Sequence, residues 1–361
     1  MIFFKNDYGQ GCIDEIIDLM KEANDESNPG YGEDDYTKKA IELIKSKMVD
    51  ANPDIHFIVG GTQANLTVLK HILRPYEGVV CADTGHINSH ETGAVEATGH
   101  KILAVPNSSG KVTPQSVRAR YEESLMQVAH MVLPRAVYIS NATEMGTVYS
   151  REELEALHNV CRELNMYLFM DGARLGAALM SGVDYTLNDL ARWCDVFTIG
   201  GTKNGALFGE AIVINHPDLK PYFRFDLKQA GGMLAKGWLL GLQFIGLFEH
   251  DAYYKCAKHA NDCAQKIQDA AVELGYPLYM KSDTNQIFLS VNDQQLEYLR
   301  ARVDFEIWEY WNDSIIIRLV SSWHTTKEEV DYMIVYLKEA ASLPEEDPEE
   351  AEKEFEEKEN E

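Results

Sequence analysis

Asp171, in the stretch MYLFMDGARLG, and Lys203, in CDVFTIGGTKNG, stand 32 residues apart, each close behind a short apolar run that reads as a buried strand. Open α/β sheets place their ligands at such strand ends. A lysine there can form a Schiff base, and an aspartate there can hold the protonated ring nitrogen of pyridoxal phosphate, keeping that ring an electron sink for carbanions. Taken singly, each residue also has a plain structural role. A strand-end Asp caps the next helix, and a lysine in a Gly-rich turn is a solvated charge. Further members of the constellation have to decide.

Four more segments supply them. In IHFIVGGTQANLTVL a strand runs through a Gly-Gly-Thr turn into a helix, so Gly61 lets the backbone approach an anion and Thr62 adds a hydroxyl beside free N–H groups. A phosphate fits there, although a tight turn capped by Thr62 explains the same residues; GxGxxG and the P-loop lysine are both absent. His86, in CADTGHINSHETGA, can lie flat on an aromatic ring and move protons near neutrality. Arg174, three residues past Asp171, can pair with a phenolic oxygen. Arg318 is a cation inside the apolar strand SIIIRLV, which needs an anion to offset its burial. An amino-acid carboxylate and a structural ion pair both satisfy that need.

These residues need a scaffold large enough to bury a cofactor, and 361 residues suffice for one large domain and a smaller one. Hydrophobic residues at 45% and charged residues at 25% are those of a soluble globular protein, with no apolar run long enough to span a bilayer. The opening MIFFKNDYGQ lacks the features of a secretion signal, so a cytoplasmic location is expected. Six scattered cysteines without CxxC or metal-ligand spacing read as reduced core residues, and no metal is expected. A net charge of −25 excludes the basic surface that nucleic acid requires. Residues 345–361 carry eleven acidic side chains and two lysines, so residues 344–361 read as a solvated, disordered tail.

From about residue 55 to 214 the apolar runs IHFIV, GVVCA, KILAV, AVYIS, MYLFM, DVFTI and EAIVI alternate with helix-like segments. That order predicts a mainly parallel sheet covered on both faces, preceded by two amphipathic helices, with residues 1–250 forming the N-terminal segment and large domain. Long helices over 233–274, broken near 249–251, lead into a smaller α/β domain over 251–343. Its strands are NQIFLSV, VDFEIW and SIIIRLV, and Thr326 with Glu329 forms a capping box for its last helix.

DGARLG, the strand-end pair Thr202 and Lys203, GGTQANL, the His86 to Ala94 segment and IIIRLVSSWHTT together resemble the threonine aldolase family, within the β-eliminating lyase group of fold type I pyridoxal phosphate enzymes. The resemblance runs from about Phe4 to the last helix. It implies that Lys203 forms the Schiff base, Asp171 meets the ring nitrogen, Arg174 the ring oxygen, His86 stacks on the ring, Gly61 and Thr62 hold the phosphate, and Arg318 clamps the substrate carboxylate. It also implies a homotetramer with sites shared between subunits, Tyr31 resembling a residue that reaches a neighbour's site. The chain departs from the family at Asn6, where a substrate-contacting serine is usual. It departs again at SNATEMG, where Thr143 or Glu144 replaces a second histidine, and at AGGMLAKG, where Lys228 or Lys236 stands in for an arginine. The expected reaction is cleavage of a β-hydroxy-α-amino acid of the L-threonine or L-allo-threonine type to glycine and an aldehyde, with His86 the leading base and Glu91 the second candidate. A β-elimination or racemisation of another amino acid is the alternative on the same cofactor, and a non-catalytic scaffold retaining the fold is the alternative outside catalysis.

Overall fold

The structure, a computed structural model, describes residues 1–127, 129–311 and 314–343; the acidic segment 344–361 lies outside the described residues. Its strands are β1 (Ile2–Phe3), β2 (Asp54–Ile58), β3 (Glu77–Ala82), β4 (Lys101–Val105), β5 (Leu133–Ser140), β6 (Tyr167–Asp171), β7 (Val196–Gly200), β8 (Glu210–Ile214), β9 (Leu278–Met280), β10 (Gln286–Val291), β11 (Val303–Asp304), β12 (Glu306–Trp311) and β13 (Ser314–Val320). All seven apolar runs between residues 55 and 214 are strands of one sheet, in the order β2-β8-β7-β6-β5-β3-β4.

The sheet is mostly parallel because helices return the chain between successive strands. β8 is the exception, antiparallel to both β7 and β2, since the short connection after β7 folds back without a crossover helix. Successive residues of a strand point into opposite cores: Val137 and Ile139 into one, Ala136 and Tyr138 into the other. Near-continuous apolar runs are what a sheet buried on both faces demands.

The helix Ala252–Glu273 joins the two parts of the molecule, burying Tyr253 in the core that holds Val137, and Ala264 and Ile267 in a third one. That third core lies under an antiparallel sheet ordered β12-β13-β10-β9. The segment VDFEIW is two strands rather than one, broken at Phe305, and β9 is an additional short edge strand. The helix Lys327–Ala341 begins at the Thr326 and Glu329 capping box.

The opening residues, grouped with the large domain in the sequence, pack against the C-terminal unit. β1 pairs in parallel with β11, Phe4 is fully buried in the third core, and the Val320 amide donates to the Phe4 carbonyl at 2.8 Å. This strap then runs on to the large sheet.

Candidate active site

β2, β3, β5, β6 and β7 all end at one edge of the large sheet, where antiparallel β8 begins. A cleft of about 480 Å³ opens there, bounded on its far side by β12 and β13. Gly61, Thr62, His86, Asp171, Arg174, Lys203 and Arg318, seven residues singled out in the sequence, all line it.

The DGA and IGGT segments fit together because two glycines permit it. A Cβ on Gly172 would sit 1.9 Å from the Thr198 carbonyl oxygen, and one on Gly200 would sit 2.5 Å from that of Ala173. The Gly200 amide donates to the Gly172 carbonyl at 2.9 Å, and the Gly172 amide to the Thr198 hydroxyl at 2.8 Å. This close approach places Asp171 and Lys203 in one cleft.

Asp171 is 5% exposed and fully engaged. Its Oδ2 accepts from Asn65 at 2.8 Å and from the Tyr138 hydroxyl at 2.7 Å, while Oδ1 accepts from the Ala173 amide at 2.9 Å. Asn65 also donates to Glu91 at 2.8 Å, and Glu91 meets His86 Nδ1 at 2.7 Å. One buried network therefore runs from the strand-end aspartate to the histidine. Glu91 orients His86, and Glu144 Oε1 accepts from the His86 amide at 2.9 Å. Burial pushes the Glu144 carboxyl above the usual range, against its bond from Ser140.

Lys203 is partly buried; desolvation and then the Arg174 guanidinium lower its pKa, against Asp7, Asp171 and Glu210. Arg174 is forked onto Asp7, with Nε at 2.7 Å and Nη2 at 3.1 Å. Burial alone would raise the Asp7 carboxyl, but the charges of Arg174 and Lys203 and hydrogen bonds from Arg174 and Asn285 hold it below its ordinary value. The helix Gly61–Ile72 opens onto the cleft with no side chain capping it, leaving first-turn N–H groups for an anion.

Arg318 reaches the cleft from β13. It pairs with Glu306, donates to Gln286 at 3.3 Å and lies 5.1 Å from the Trp308 ring centre. The structural ion pair weighed in the sequence is therefore present, yet Arg318 Nε is buried without a hydrogen-bond partner among the described residues.

Two expected substrate contacts stand apart from the cleft. Asn6 does not line it; the residue accepts from the Tyr8 amide at 3.1 Å, while Tyr8 is the neighbour that does line the cleft. Tyr31 is 46% exposed and lines another groove, with Lys228 Nζ 4.3 Å from its ring centre. Neither Lys228 nor Lys236 lines the cleft. Sequence reasoning missed Asp7, Tyr8 and Glu210. Asp7 and Tyr8 adjoin a residue that was singled out, and Glu210 opens an apolar strand, the one available signal being a carboxylate at a strand end.

A family model for β-eliminating lyases matches residues 8–294. The chain belongs to the β-eliminating lyase family. As a member of that family it is a lyase, and its relatives include the low-specificity L-threonine aldolase of Pseudomonas aeruginosa, 33% identical over 91% of this chain and 94% of that one. The low-specificity L-threonine aldolase of a second Pseudomonas strain is 34% identical over the same shares. The solved threonine aldolase of Leishmania major superimposes with a TM-score of 0.93 at 40% identity, covering 95% of this chain and all of that one. An aspartate aminotransferase of Thermus thermophilus, at 14% identity and a TM-score of 0.70 over 94% of this chain and 91% of that one, shares the fold alone. That fold is the fold type I architecture.

Proposed function

We propose that this family member is a pyridoxal phosphate-dependent aldolase that cleaves a β-hydroxy-α-amino acid of the L-threonine or L-allo-threonine type to glycine and an aldehyde. One observation carries the reading. A partly buried lysine of lowered pKa, a fully hydrogen-bonded carboxylate, an uncapped helix N-terminus and an arginine with a free Nε converge on one cleft.

These donors fit pyridoxal phosphate. Lys203 would hold it covalently, Asp171 would meet its ring nitrogen, Arg174 its ring oxygen, and Gly61 and Thr62 its phosphate, where a helix N-terminus favours negative charge. When bound, the cofactor supplies a sink for the electrons of the broken bond. The protein supplies the rest. Asp171 is held by Asn65, Tyr138 and the Ala173 amide, which fix its carboxylate as the acceptor that a protonated ring nitrogen would need. His86, held by Glu91 and lining the cleft, would stack on the ring and take the proton of the substrate β-hydroxyl. Arg318 fixes the substrate carboxylate, exchanging part of its contact with the half-exposed Glu306.

The reading extends to a homotetramer with shared sites, because Tyr31 lies outside the cleft of its own subunit and contributes to substrate binding only in an assembly; Asn6 would act through the adjoining Tyr8. It extends to a cytoplasmic location, consistent with six free thiols, five of them buried. No helix among the described residues is long and apolar enough to cross a membrane.

The test is an absorption spectrum of the purified protein with added pyridoxal phosphate, before and after L-threonine and L-allo-threonine, with glycine and acetaldehyde assayed in the same samples. A visible band that responds to substrate, with both products released, is expected. A band without glycine would move the assignment to elimination or racemisation, and no cofactor binding would sink it.

A further inference from the structure

Three carboxyls act electrostatically on the Lys203 amine, and two of them are committed. Asp7 is held by Arg174 and by Asn285, and Asp171 by Asn65, Tyr138 and the Ala173 amide. The third is Glu210. It is 4% exposed, it lines the cleft, and its Oε2 has no hydrogen-bond partner among the described residues. A buried carboxyl left with an open oxygen is costly unless it carries a proton or meets a charge.

The topology explains its position. β8 runs antiparallel to β7, so its first residue, Glu210, pairs with Gly200, the last residue of β7, three positions before Lys203. The connection between them is closed by the Gly209 amide donating to the Thr202 hydroxyl at 3.0 Å. The reversed strand thus delivers a carboxyl to the edge where the parallel strands deliver the lysine.

We propose that Glu210 is the proton partner of Lys203, accepting a proton from its ammonium through water in the cleft that both residues line, to leave a neutral amine, and returning it in the reverse step. This rests on Lys203 being the cofactor-binding lysine. The N–H bonding pair stays on Nζ as a lone pair, an O–H bond forms at Glu210, and the two groups together are neutral before and after. No outside acid or base is needed. Burial, and then the Asp171 charge, push Glu210 up to about 8, while desolvation and then Arg174 lower Lys203 from its ordinary value. The other groups facing the pair are Arg174, Asp7 and Asp171, with His90 beside Lys203 and the Tyr253 hydroxyl beside Glu210.

The experiment uses the full chain without added cofactor. The rate at which acetic anhydride modifies Lys203 is followed by peptide mass spectrometry as a function of pH, for wild type, Glu210→Gln and Glu210→Asp, with circular dichroism to verify folding. Wild type should show a two-step profile. Glu210→Gln removes the carboxylate that stabilises the ammonium, so Lys203 should react about tenfold faster near pH 9, in a single step. Glu210→Asp retains a carboxyl and should keep two steps, which also carries the test should the glutamine variant not fold. Profiles that superimpose for wild type and Glu210→Gln, or a single-step Glu210→Asp profile, overturn the proposal. Pyridoxal phosphate added to Lys203→Ala reads the underlying function separately: loss of the visible band supports it, and an unchanged band removes the ground on which the proposal stands.

Discussion

Arg318 is already paired with Glu306 and stacked near Trp308 without a ligand, so its charge is satisfied while its Nε remains open. A substrate carboxylate then competes with a half-exposed side chain rather than with water. Truncating such a residue removes a charge-assisted contact, so Arg318→Ala should raise KM for the amino acid by roughly 30-fold or more. Cofactor affinity should stay within about twofold, because Arg318 lies across the cleft from the cofactor's proposed anchors. Steady-state kinetics and a cofactor titration check this, and equal losses of both affinities would make Arg318 a structural residue. Residue identities of this kind were legible in the sequence, since lysine, aspartate and arginine at strand ends or inside apolar runs stand out against their surroundings. Asp7 did not stand out. Its partner Arg174 is 167 residues away, and no local pattern announces a contact of that span.

At the scale of elements, seven strands and the capping box of the last helix followed from apolar runs and one Thr-x-x-Glu spacing. Strand direction did not follow. The run EAIVI reads the same for a parallel or a reversed strand, and only the reversal brings Glu210 to the cleft. The junction of β6 and β7 depends on atoms a glycine lacks. Gly172→Ala would drive a methyl group to 1.9 Å from a backbone carbonyl of β7, a clash that no side-chain rotation relieves. The expected cost is about 1–3 kcal/mol, as for other overpacked interiors, together with loss of cofactor binding as Asp171 and Lys203 move apart. Thermal melts and the visible band should therefore fall together; a variant with wild-type melting and full cofactor binding would refute this account of the junction.

Over the whole molecule, the strap of residues 2–8 is stitched to the C-terminal unit by β11 and Val320 and to the large sheet by Asp7. Because the Asp7 carboxyl is held below its ordinary value, its contribution is complete above the unfolded-state value of 3.8 and is lost as pH falls through the lower folded value. Melting temperature measured against pH should show wild type more stable than Asp7→Asn at neutral pH, with the difference closing in acid. A gap that persists in acid would mean that Asp7 acts through packing rather than charge. The strap also bears on how the enzyme is made. Asp7 meets Asn285 across 278 residues, so during synthesis Arg174 and Lys203 can follow finished β6 and β7 strands well before Asn285, Val303 and Val320 have been added. Until those arrive the strap that brings Asp7 onto Arg174 lacks its anchors on β11, Val320 and Asn285, and such distant closures come late. The nascent chain would therefore possess its catalytic groups without a working site, and activity would switch on only as the last strands of the polypeptide fall into place.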